Sequence, residues 1–203
     1  DPSFDKKNFI KTLDACIKSL IEQDNQETGI ILKVYSKNNS IYDFKSSVNI
    51  ISAYKNILKK EYKYIPNIYI IHGNLSPEEL VSLYRHEKIT CLVSGTRCET
   101  FGSKFLEAAS CGLPIIATNW SAHTEFLSYY LGVNYKLCKI KNQKKNQLNT
   151  PFHEYSNIWV NDAEWAEFDS DDLKSKIKKV LDLNIDFNEI AKQQLSLLNK
   201  YSK

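Results

Sequence analysis

The chain has 203 residues, enough for one well-filled core, and its 42% hydrophobic and 25% charged content reads as globular. With 27 basic against 24 acidic residues the net charge is only +3, which disfavours a nucleic-acid binder held by counterion release. The longest apolar runs are strand-sized and the start "DPSFDKKNF" lacks a signal-peptide profile, so a cytoplasmic location is expected.

Five cysteines, Cys16, Cys91, Cys98, Cys111 and Cys138, show no C-x-x-C spacing, which argues against a disulfide framework and a zinc site. The four histidines, His72, His86, His123 and His153, show no ligand spacing either, and no metal is expected. The absence of methionine leads to the expectation that the chain is a piece of something longer.

In chain order, "KKNFIKTLDACIKSLIEQ" sets Phe9, Ile10, Leu13, Cys16, Ile17, Leu20 and Ile21 at helical spacing, predicting an amphipathic helix. "GIILKVY" (29–35) predicts a strand, a second amphipathic helix runs from about Lys45 to Lys60, and "NIYIIHG" predicts another strand. Ser76, Pro77 and Glu79 form a capping box with proline at the first helical position. "ITCLVS" predicts a strand, "SKFLEAASC" a helix closed by Gly112, "PIIAT" a strand, "HTEFLSYYL" a short helix and "YKLCKI" the last strand. "KIKNQKKNQLNT" reads as a basic solvated loop, with a peripheral membrane contact as its alternative. Two helices close the chain, the first capped by Asp169 or Ser170, a reading preferred over a metal-binding Asp-x-Asp.

Alternation of strands and helices predicts an α/β fold, a doubly wound parallel sheet of Rossmann-like type, with ligands beyond the carboxyl ends of the strands. The expected organisation is a single domain over 1–203, with its core at 5–140 and terminal helices at about 170–201. Within it, "CETFGSKFLEAASCGLPIIATNWSAHTEF" (98–126) holds Glu99 and Glu107, with Phe101-Gly102 between them where a helix begins. A helix start at a strand's carboxyl end offers N–H groups and the positive end of the macrodipole to a phosphate or a hydroxyl-rich ligand. Gly102 would let such a ligand approach the backbone, and both carboxylates would face one crevice. Alone, two glutamates at this spacing read as solvated helix charges; the Phe-Gly between them and "CGLPIIAT" after them favour a ligand site. Trp120, Trp159 and Trp165 are read as packing residues before stacking platforms. The sequon Asn119-Trp120-Ser121 would place a glycan over the crevice, which again favours the cytoplasm.

The stretch "TRCETFGSKFLEAASCGLPIIATNWSAHTEF" resembles the signature region of family-4 (group 1) glycosyltransferases of the GT-B fold. The resemblance extends back through "GNLSPEELVSLYRHEKITCLVS" to "DKKNFIKTLDACIKSL", and "WAEFDSDDL" is similar to the family's closing segment. It implies the nucleotide-sugar-binding half of a retaining, metal-independent transferase, with a UDP-sugar or GDP-sugar as donor and no cofactor. Glu99 would be catalytic, meeting the donor sugar's hydroxyls. The amides of Phe101, Gly102 and Ser103 would line sugar and phosphates, and Glu107 would take the ribose. Lys7 would meet the diphosphate, a first-turn surface lysine being its alternative, and Arg97, Thr118 and Asn119 would complete the donor-binding set. For Arg97 a brace for the loop stays open beside a phosphate clamp.

The sequence departs from that family at Thr100, where glycine is common, and at Ser121-Ala122-His123, where a small Gly-Gly turn is usual. The family's first strand and its acceptor-binding N-terminal domain are expected to lie upstream of Asp1. The acceptor would be a glycan, lipid or protein hydroxyl. A non-catalytic donor-binding subunit that needs a partner chain is the alternative, and a glycosidase using paired carboxylates is a further rival.

Overall fold

The structure, a computed structural model, describes residues 7–34, 39–139 and 163–201. The polar stretch read as a solvated loop, together with His153 and Trp159, lies outside these except for Lys139. The chain divides into two compact units, 1–74 with 139–163, and 75–138 with 164–203.

The first unit contains α1 (Phe9–Glu22), β1 (Ile30–Val34), α2 (Ile41–Leu58) and β2 (Ile68–His72). The two strands run parallel in a two-stranded sheet, from Ile30 opposite Ile68 to Val34 opposite His72. The predicted helical stripe is the buried one: Ile10, Leu13 and Ile17 of α1 pack with Tyr54 and Leu58 of α2, and Ile30, Leu32 and Ile68 lie against them. The α2 helix begins earlier than predicted because Ser40 forms a full capping box with Asp43, a start signal that hydrophobic spacing does not report. Inside this core Tyr54 donates a 2.5 Å hydrogen bond to Asp14, whose carboxylate also lies 3.0 Å from Lys18 Nζ.

The second unit opens with α3 (Pro77–Tyr84), whose cap by Ser76 and Glu79 forms as predicted. It continues through β3 (Leu92–Ser94), α4 (Ser103–Ser110), β4 (Ile115–Thr118), a 3₁₀ turn (Ala122–Glu125), β5 (Leu131–Val133), β6 (Tyr135–Lys139), β7 (Glu164–Phe168), α5 (Ser170–Leu181) and α6 (Phe187–Tyr201). β4 is the centre of a parallel sheet ordered β3-β4-β5, and β6 pairs with β7. All four residues of β4 are buried, which is why "IIAT" opens with three apolar residues in a row rather than an alternation.

The predicted parallel α/β character holds; the described strands form three small sheets, with β1 and β3 in different ones. The helix expected at "HTEFLSYYL" is only the 3₁₀ turn, and Leu131-Gly132-Val133 pairs with β4 as a strand. Of the apolar residues expected on the helix, Leu131 joins the sheet's edge, while Leu127 is buried in the core with Phe126 and Tyr130 packed against it. β7 was missed because its five residues carry no long alternation.

Gly112 closes α4 as predicted. It has φ +76, its N–H reaches Ala109 O, and the N–H of Leu113 reaches Ala108 O, the paired bonds of a Schellman motif. Asp169 caps α5, accepting from the amides of Asp171 at 2.9 Å and Asp172 at 3.1 Å, so these acids serve the helix start.

Candidate functional site

The parallel pairing of β3, β4 and β5 brings three carboxyl ends together: Ser94 with the loop to Gly102, Thr118 with the loop to His123, and Val133. The α4 helix starts directly from the first loop. Its N-cap, Gly102, has φ 88 and ψ 47, makes no side-chain cap, and no acidic side chain lies in the first turn. The helix therefore presents the positive end of its dipole without an acid of its own to answer it.

Gly102 is glycine for a further reason than ligand approach. A Cβ at this position would stand 2.8 Å from Phe105 Cδ2 and 3.4 Å from His123 Cβ, and the left-handed backbone is already costly for any other residue. The residue is buried, so packing beneath the loop and not only access from above requires it.

The two glutamates occupy unlike surroundings. Glu99 has a side chain only 7% exposed, and its Oε1 lies 2.9 Å from Lys104 Nζ. Lys104 also donates to Ser94 Oγ at 2.9 Å and stands 4.8 Å from the centre of the Phe105 ring. A cation in the first turn of a helix is unfavourable by itself, and Glu99 supplies the compensating charge. The backbone of Glu99 is held separately: Ser121 Oγ accepts from its N–H at 2.8 Å and donates to its C=O at 2.7 Å.

Glu107 lies one turn into α4 on the exposed side, and partial desolvation raises its carboxyl above the usual range. Tyr84 is nearby; burial, with the charge of Glu107 as the next contribution, pushes its phenol up to about 12. Glu107 is thus the more accessible carboxylate, and Glu99 is the one whose position is fixed by partners.

Arg97 is 5% exposed. Its Nε and Nη2 lie 2.9 and 2.8 Å from Glu167 Oε2, and its guanidinium stacks 4.6 Å from the ring of the buried Trp165. Its carbonyl accepts from the amide of Ala166 at 3.1 Å. Those contacts describe a brace that ties the loop after β3 to β7.

The remaining candidates divide. Phe101 is 49% exposed, with its ring 5.3 Å from that of Phe126, and Ser103 is exposed at the first helical position. Thr118 is buried, and its Oγ1 has no hydrogen-bond partner among the described residues. Asn119 is exposed; its N–H bonds Val133 O at 2.9 Å and its Oδ1 accepts from the Tyr130 hydroxyl. Lys7 is described in the first unit, two residues before α1, while the other candidates all belong to the second.

Sequence reasoning missed Lys104 and Ser121 as residues of the site. His123 is fully buried, with Nε2 2.9 Å from Thr118 O and its ring 4.4 Å from that of Phe105, so it supports the site from below. The signal for Lys104 was present: a lysine in a helix's first turn needs an anion, and Glu99 is the nearest acid before it.

Residues 54–145 match the family model described as glycosyl transferases group 1. Among curated proteins none matches the chain. Among solved structures, the GtfA/B complex aligns over 95% of this chain at 15% identity and a TM-score of 0.36. The chain spans 34% of the length of that matched chain.

Proposed function

We propose, for a chain that carries a group 1 glycosyltransferase domain, that the carboxyl ends of β3 and β4 bind the nucleotide-sugar donor of a retaining transferase. The observation that carries this reading is the uncapped, acid-free start of α4 at Gly102, set between a fixed Glu99 and an accessible Glu107. A diphosphate at that helix start would meet backbone N–H groups and the dipole, which stabilise the charge gathering on the leaving group without calling on a metal ion.

In the transfer the bond from the anomeric carbon to the diphosphate oxygen breaks, and the nucleoside diphosphate departs with the electron pair. The acceptor hydroxyl forms the new glycosidic bond on the same face and passes its proton to the departing diphosphate. Glu99 would hold the donor sugar by its hydroxyls, a task suited to a carboxylate with its backbone and its side chain both constrained. Glu107 would accept from the ribose hydroxyls. Phe101, Gly102 and Ser103 would line the phosphates and sugar, with Thr118 and Asn119 at the end of β4. Arg97 would act through the loop it braces. Lys7 keeps the diphosphate role that the resemblance implies.

UDP-sugar and GDP-sugar are the donor candidates. Calorimetric titration of the chain with UDP, GDP and ADP, with and without magnesium, tests the site. Glu107→Ala is expected to weaken binding of the preferred nucleotide by about 10- to 100-fold, the worth of a hydrogen bond to a charged group. Glu99→Ala is expected to spare the nucleotide and remove the additional affinity given by the sugar. Equal losses in both variants would contradict the allocation, and a folded chain that binds no nucleotide would remove the site.

A further inference from the structure

We propose that Ser121 is a positioning residue that sets the donor-sugar contact by latching the backbone of Glu99. The inference rests on the reading of Glu99 as the sugar contact. Ser121 has φ 91 and ψ −174, a region that only glycine enters without strain. A serine held there against its own preference has a reason in its hydroxyl. That one oxygen accepts from Glu99 N–H at 2.8 Å and donates to Glu99 C=O at 2.7 Å, spending its proton and a lone pair on a single residue 22 positions away.

The two bonds fix the Glu99 peptide groups on either side of its Cα, and the Lys104 ion pair fixes the carboxylate. Backbone and side chain are constrained by separate partners, so the latch can be removed while the ion pair stays. It also couples the loop after β3 to the loop after β4, the two segments between which the donor sugar would lie.

Strain makes the role separable from ordinary structural support. Ser121→Gly removes both hydrogen bonds and relieves the backbone; Ser121→Ala removes the bonds and keeps the strain. Ser121→Gly is expected to be the more stable of the two in thermal unfolding. Both should bind the nucleoside diphosphate within about twofold of the unaltered chain, and both should lose about tenfold of the affinity that the sugar adds, a loss on the scale of one hydrogen bond. A purely structural serine would instead change both ligands together and in step with stability.

The experiment is calorimetry of the full chain and both variants with UDP and GDP and their glucose conjugates, alongside amide hydrogen exchange at Glu99. Loss of the sugar increment with faster Glu99 exchange supports the latch. An unchanged sugar increment in both variants overturns it. If the unaltered chain draws no extra affinity from either sugar, the reading of Glu99 as sugar contact fails by itself. Exchange at Glu99 then still decides the latch: acceleration in both variants supports the backbone hold, and protection equal to the unaltered chain's overturns it.

Discussion

Replacing Gly102 by alanine tests the structural claim on which the site depends. The residue has φ +88, and an added Cβ would approach Phe105 Cδ2 to 2.8 Å, closer than real Cβ contacts allow. Holding a residue with a Cβ in the left-handed region costs about 1–2 kcal/mol. Overpacking against a ring with no room to retreat, since Phe105 is fully buried, adds about 1–3 kcal/mol. The sum, about 2–5 kcal/mol, is a large share of a domain's usual stability of about 5–15 kcal/mol. Urea unfolding followed by tryptophan fluorescence reads the effect, Trp120 and Trp165 both lying in the second unit. The contribution of the ring is isolated by Phe105→Leu: if the clash matters, the double variant loses less than the sum of the single losses by about 1 kcal/mol, since residues in contact couple. A Gly102→Ala loss under about 0.5 kcal/mol would refute the reasoning, because neither strain nor clash predicts so little. Additive losses would refute the clash and leave only the backbone term.

Arg97→Ala should destabilise the second unit by about 3–5 kcal/mol, since it leaves Glu167 without its buried partner and uncovers Trp165; Arg97→Lys should recover part of this in the same urea experiment, and a neutral Arg97→Ala would end the reading as a brace. Tyr54→Phe should cost the first unit about 1–3 kcal/mol by removing the bond to Asp14. Burial, and next the bond to Asp14, raise the phenol of Tyr54 far above its ordinary value of 10.0. The folded chain therefore keeps this proton after the unfolded chain has released it, and stability falls as pH rises past about 10. Thermal unfolding between pH 8 and 11 should show a shallower alkaline decline in Tyr54→Phe; an identical slope would contradict the assignment. Glu107→Gln offers a linkage experiment of the same sign, at acid pH, on the site itself. A carboxyl raised by desolvation favours the folded state most below its ordinary value of 4.5, and that advantage is lost as pH rises through its folded value. At pH 7 Glu107→Gln should consequently unfold no earlier than the unaltered chain while binding nucleotide more weakly, and a variant that lost stability there would show that Glu107 serves the fold.

Features governed by neighbours in the chain were legible without coordinates. The stripe of α1, the Ser76–Glu79 box, the closure of α4 by Gly112 and the Asp169 cap are set within four or five residues, so periodicity and capping chemistry report them directly. The strand, the loop with Gly102 and the helix start on which the candidate site is placed were legible for the same reason, because they follow one another in sequence. What each side chain does there was decided by tertiary structure. Arg97 meets Glu167 across 70 positions and Ser121 meets Glu99 across 22. The same sequence was open to a clamp or a brace at Arg97, and it marked Ser121 only as a departure from the family's small turn. A buried charge and a strained backbone are each tolerated only where a distant partner offsets their cost, and the identity of that partner is set by which strands pair. The short β5 illustrates the rule: Leu131-Gly132-Val133 carries too little pattern to declare itself, and becomes a strand because β4 lies beside it with backbone groups to satisfy.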